Sequence, residues 1–190
     1  LIYLTLTRTD IIFAINKLAK IAHHPGKVHL DALIHVLHYL RDKSHWGLQF
    51  YHDFTTSPIY TTLTTNNLPT STFFFTMCDS SWNNDVGNGR STVCFLIFYM
   101  GGIIDQSSNL PDPVALSSAE AEYNQACIAV MATTHANMIL EDLTQQTSSS
   151  PTPLIMDSKS GIAIGSSFKD TKHTRHILRR YHYVRDAFNN

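Results

Sequence analysis

Ser71-Thr72-Phe73-Phe74-Phe75-Thr76-Met77-Cys78-Asp79-Ser80-Ser81-Trp82 is the stretch on which the fold turns. An apolar, aromatic-rich run stops at an aspartate and gives way to small polar residues. Phe and Thr in a run of this length predict a strand, partly or wholly buried. A carboxylate closing a buried strand is costly unless a cation, a metal or water pairs with it. Asp79 is therefore expected at the rim of a sheet, and the rest of the chain is read for carboxylates that could converge on it.

Downstream, an Asn- and Gly-rich loop through residues 83–89 leads to the apolar run Val93 to Met100, a second strand stopped by Gly101-Gly102. Ile103-Ile104 and Val114-Ala115-Leu116 supply pieces of a third around a polar turn. Ser117 with Glu120 three residues on fits a capping box, and opens a helix running towards Leu140. Pro153-Leu154-Ile155-Met156-Asp157 is a short buried strand that again ends in aspartate. Ser158 to Ile164 starts a short helix, and a basic, histidine-rich helix spans about Thr174 to Phe188. If the strands of Asp79 and Asp157 pair in parallel, their carboxylates meet, and a glutamate in the first turns of the intervening helix faces the same edge. Clustered carboxylates repel unless cations neutralise them. Their hard oxygens suit Mg²⁺ or Mn²⁺, and two such ions roughly 3.5–4 Å apart activate water in phosphodiester cleavage. Strand-end Asp and first-turn Glu are also ordinary capping residues, and on pattern alone that structural reading is the stronger.

Upstream, Asp10 is expected to cap a helix through Ile21, with apolar residues at 11, 14, 15, 18, 21 and 22 on one face. Pro25-Gly26 breaks it, and a second helix is expected from about His29 to Arg41, with Ala32, Leu33, Val36, Leu37 and Leu40 as its stripe. Trp46 to Tyr51 reads as a short strand. Residues 53–72, rich in Thr, Ser, Asn and Pro, mark a boundary between two parts. With 43% hydrophobic and 15% charged residues, the 190-residue chain is globular, not disordered. A net charge of −1 gives no overall basic field for nucleic acid. Three widely spaced cysteines, Cys78, Cys94 and Cys127, fit a reducing, intracellular setting. The opening Leu1-Ile2-Tyr3-Leu4 is neither a signal peptide nor a membrane span, so no membrane partner is expected. It reads as the continuation of a longer chain.

Several motifs, in order, resemble the C-terminal part of the Pol polyprotein of copia-type LTR retrotransposons, the end of reverse transcriptase followed by ribonuclease H. Tyr3-Leu4-Thr5-Leu6-Thr7-Arg8-Thr9-Asp10-Ile11 is similar to Y-L-x-x-T-R-P-D-I, and Val36-Leu37-His38-Tyr39-Leu40-Arg41 to V-L-R-Y-L-K. Asp79-Ser80-Ser81-Trp82 resembles D-A-D-W. Val114-Ala115-Leu116-Ser117-Ser118-Ala119-Glu120-Ala121-Glu122-Tyr123 is close to V-A-L-S-S-T-E-A-E-Y, the most specific match. Met156-Asp157-Ser158-Lys159 corresponds to C-D-N-Q, and Arg180-Tyr181-His182-Tyr183 to R-Y-H-F.

The resemblance implies a mixed α/β, ribonuclease H-like fold with a five-stranded mixed sheet over residues 72–190. A linker at 54–71 and a small, mainly helical remnant of reverse transcriptase at 1–53 would precede it. It implies two-metal hydrolysis of RNA in RNA–DNA hybrids, with Mg²⁺ (or Mn²⁺) as cofactor and Asp79, Glu122 and Asp157 as catalytic metal ligands. Glu120 is the alternative to Glu122, which is preferred because Tyr123 follows it. Arg175, His176, Arg179 and Arg180 would grip phosphate, and the upstream reverse transcriptase of the same polyprotein is the other expected partner. The chain departs from the pattern at Leu178, where the family carries its fourth acid, and at Gln125, where a small residue is usual. A leucine cannot ligate a metal. These departures motivate a second expectation, a catalytically inactive, degenerate fragment that retains the fold and weak nucleic-acid binding.

Overall fold

Phe74–Ser81 forms the strand expected of it, β1, in a computed structural model that describes residues 1–70, 73–81, 92–109, 118–146, 150–159 and 162. β1 is flanked on both sides. It pairs antiparallel with β2 (Thr92–Tyr99) and parallel with β4 (Leu154–Ile155), while β2 pairs antiparallel with β3 (Gly102–Asn109), giving the order β3-β2-β1-β4. A parallel pair needs a crossover, and the 27-residue helix α4 (Ser118–Thr144) supplies it. This mixed α/β architecture is compatible with a ribonuclease H-like fold. Four strands of the expected five occur among the described residues.

The continuous apolar reading of β1 follows from burial on both faces. One face packs on α4: Phe74 and Cys78 join Phe95, Ile97, Ala129 and Ala136 in one cluster. Between them Thr76, fully buried, meets Thr133 of α4 with the two hydroxyl oxygens 2.6 Å apart. The other face packs Phe75 and Phe98 against Phe54 and Leu63. The Phe75 and Phe98 rings, opposite each other in the β1–β2 register, stack with centroids 4.9 Å apart.

Phe54 and Leu63 come from the stretch read as a linker. Residues Phe54–Thr56 form a 3₁₀ turn and Pro58–Thr65 the helix α3. The turn is capped by Asp53, which accepts from the Thr55 amide at 2.9 Å, and α3 by Ser57, with Pro58 in its first turn. Gly101, at φ +81°, turns β2 into β3; a Cβ there would lie 2.8 Å from the Ser57 Cβ and from Cδ2 of Tyr51. The chain divides into two compact units at this point, Leu1–Phe50 and Tyr51–Asn190, so residues 51–65 belong with the sheet.

In the first unit, α1 (Ile12–Lys20) and α2 (Lys27–Asp42) confirm the two expected helices, with Ile11, Ile15 and Val36 at their core. Leu33 and Leu40 are half-buried, whereas Ala32 and Leu37 are exposed, so the stripe is narrower than expected. Asp10 caps nothing. It accepts two hydrogen bonds from the buried Arg8 guanidinium, at 3.0 and 2.8 Å, and one from the Tyr39 hydroxyl at 2.7 Å. A fork-shaped cation outcompetes a backbone amide for a carboxylate. Trp46 to Tyr51 forms no strand.

Candidate acidic site at the sheet edge

The β1–β4 register decides where the two aspartates lie. Thr76 is opposite Leu154 and Met77 opposite Ile155. Asp79 and Asp157 each follow two residues later, so they leave the same edge of the sheet from neighbouring strands, and both are exposed. Their fields meet at Cys78. Burial pushes that thiol's pKa up to about 12, with Cys94, Asp79 and Asp157 adding in that order.

The direction of α4 brings its first turns to the same edge. Thr76 meets Thr133, while Cys94, opposite Asp79 on β2, meets Gln125. Moving towards the end of β1 therefore moves back towards the start of α4. Glu122, one turn before Gln125, is half-buried and accepts a hydrogen bond from the buried Ser158 hydroxyl. Ser158 follows Asp157, so this bond joins α4 to the end of β4. The backbone of Asp79 is held as well. Gln125 Nε2 donates to the Cys94 carbonyl at 2.5 Å, and the Cys94 thiol donates to the Asp79 carbonyl at 3.2 Å. Burial also raises the Cys94 pKa, with Asp79 contributing, so it remains a neutral donor.

The structure thus gathers Asp79, Glu122 and Asp157 at one edge without closing them around a point. Among the described residues, no three His, Cys, Asp or Glu side chains could by themselves hold a metal ion. Mg²⁺ does not require such a cage, because it keeps several waters and binds through one or two carboxylates plus substrate phosphate. Two exposed carboxylates on adjacent strands fit that mode, with Glu122 beside them and tied to Ser158. The Glu120 side chain, Leu178, and the expected phosphate contacts Arg175, His176, Arg179 and Arg180 lie outside the described residues. Reading the sequence missed Ser158 and the Gln125–Cys94 link. Neither carries a signal, since serine after a strand is a common cap and the link joins residues 31 apart. Among the described residues, no helix is long and apolar enough to cross a membrane.

Similarity to known proteins covers nearly the whole chain. It is 29% identical over 182 residues to the retrovirus-related Pol polyprotein from transposon TNT 1-94 of Nicotiana tabacum, spanning 95% of this chain and 12% of that polyprotein. Identity is 30% over 121 residues to the retrovirus-related Pol polyprotein from transposon RE1 of Arabidopsis thaliana, spanning 64% of this chain and 7% of the relative. It is 32% over 120 residues to the secreted RxLR effector protein 161 of Plasmopara viticola, spanning 63% of this chain and 73% of that protein. No family model and no solved structure matches the chain.

Proposed function

Because this chain belongs to the Pol polyproteins of copia-type retrotransposons, we propose that its second unit is a ribonuclease H-type endonuclease acting on the RNA of RNA–DNA hybrids. The observation that carries the reading is the parallel register of β4 on β1, which sends Asp79 and Asp157 out of one sheet edge. In this reading Asp79 and Asp157 offer exposed carboxylates to Mg²⁺ (or Mn²⁺), and Glu122, fixed by Ser158, adds a third acid beside them. When bound, the ion supplies an activated water and neutralises charge on the reacting phosphate. Arg175, His176, Arg179 and Arg180 attract the hybrid's phosphates, the main source of nucleic-acid affinity.

The first unit carries exposed apolar side chains, among them Ile2, Tyr3, Leu6, Phe13 and Val28. Such a surface supports a protein partner, and the reverse transcriptase portion of the same polyprotein is the one proposed.

A second reading, a degenerate fragment without activity, is favoured by Leu178 at the position of the family's fourth acid. The two separate on cleavage of an RNA–DNA hybrid in Mg²⁺ or Mn²⁺. The hydrolase reading expects cleavage by the unaltered chain and its loss in Asp79→Asn. An inert chain overturns that reading, and cleavage gained by Leu178→Asp would then assign the defect to the missing acid.

A further inference from the structure

We propose that Ser158 is a positioning residue for the acidic site: its hydroxyl holds the Glu122 carboxylate against the end of β4, making Glu122 the acid that α4 contributes. The inference rests on the reading of that edge as a metal-dependent site. Ser158 is only 9% exposed, and its hydroxyl donates to Glu122 Oε2 across 36 residues of sequence. An ionised carboxylate can only accept, so the single hydroxyl proton is committed to it. Hydrogen bonds to charged acceptors are roughly twice as strong as neutral ones. The bond therefore restricts the rotation of Glu122 about its long side chain and couples α4 to the residue next to Asp157. The hydroxyl is spent on the Glu122 carboxylate, so Ser158 acts through Glu122.

The test uses the full chain, with Mn²⁺ alone as the probe. Ser158→Thr keeps the hydroxyl, and Ser158→Val has the same shape without it. Mn²⁺ affinity is read from the electron paramagnetic resonance signal of the free ion, and thermal unfolding confirms that each variant is folded. Ser158→Thr is expected to bind Mn²⁺ like the unaltered chain. Ser158→Val is expected to bind about 10-fold or more weakly, the usual cost of losing a partner behind a ligand. The Mn²⁺ concentration giving half-maximal hybrid cleavage should rise by the same factor, with a smaller change at saturating Mn²⁺. Equal affinities for the Thr and Val variants, both tight or both weak, overturn the proposal, as does an unaltered chain that binds no Mn²⁺. Mn²⁺ binding without hybrid cleavage overturns the hydrolase reading alone, and the Thr–Val comparison still decides the role of Ser158.

Discussion

The contact that fixes α4 on β1 can be dissected with two conservative variants. Thr76 is fully buried, and its hydroxyl oxygen lies 2.6 Å from that of Thr133. Thr133 spends its proton on the Ala129 carbonyl, one helical turn back, at 2.7 Å. Either hydroxyl could donate on distance alone; with the Thr133 proton on Ala129, Thr76 is the donor, and this assignment is what the variants test. The two substitutions to valine are then unequal. Thr76→Val removes the donor but leaves Thr133 bonded to Ala129, at a cost of about 1 kcal/mol or less, the net worth of one hydrogen bond. Thr133→Val strands the Thr76 proton in a buried layer and costs about 1–3 kcal/mol, the desolvation penalty of an unmet donor. The double variant replaces both hydroxyls with methyls of the same shape and should lie near the parent.

Denaturant unfolding of the three variants and the parent measures the cycle. A loss of about 1 kcal/mol corresponds to about 2–4 °C in Tm for a domain of this size. Equal costs for the two single variants would refute the donor assignment, and a double variant at the sum of the singles would refute the coupling. The outcome bears on the acidic site, because this pair sets where along β1 the helix carrying Glu122 sits.

Two other expectations concern the frame of each unit taken by itself. Gly101→Ala forces an L-residue to φ +81° and drives a methyl to 2.8 Å from Ser57 and Tyr51; it should destabilise the second unit by about 2–4 kcal/mol through backbone strain and overpacking, read by thermal unfolding. In the first unit, the Arg8 hydrogen bonds, with Tyr39 assisting, hold the Asp10 pKa below its ordinary value against a smaller opposing effect of burial. Because the folded-state value is the lower one, the stability it contributes is present above the unfolded pKa of about 3.9 and is lost as pH falls through the folded value. Trp46 fluorescence in a Trp82→Phe background should report an acid-induced loss of stability that Asp10→Asn reduces; an unchanged pH profile in that variant would refute the linkage.

β1 and β2 were legible because burial on both faces leaves a simple mark, a largely apolar run such as Phe73 to Cys78, broken by Thr76 alone; β3 was not, since its second half, Asp105 to Asn109, is polar and reads as a turn. α3 leaves no such mark. Pro-Ile-Tyr-Thr-Thr-Leu-Thr-Thr has poor helix propensity, and its helix forms because Ser57 caps it and Leu63 is wholly buried beneath the sheet. Tertiary burial overrides propensity here, and the apolar partners Phe75 and Phe98 are distant in sequence. Asp10 shows the opposite failure. Its position before an apolar helix reads as a cap, but Arg8, two residues away and buried, claims both carboxylate oxygens.

At the acidic edge the same division holds. That Asp79 and Asp157 end strands could be read from the sequence, and their adjacency needed only a parallel pairing, which the β-β-β-α-β order makes natural. What holds them could not. Gln125 stands where the resemblance leads one to expect a small residue, which as sequence alone reads as drift. In the structure its amide is buried, and its N–H grips the Cys94 carbonyl while its Oε1 has no hydrogen-bond partner among the described residues. The orphan acceptor costs about 1–3 kcal/mol, and a small residue would avoid that cost. The gain is a link from α4 through Cys94 to the backbone of Asp79, parallel to the one from Ser158 to Glu122. One side chain thus leaves an acceptor unmet and ties down the strand that carries Asp79, so Gln125 by itself does not argue for a dead site. Inactivity, the second reading, rests on Leu178 alone, since a leucine side chain cannot ligate a metal.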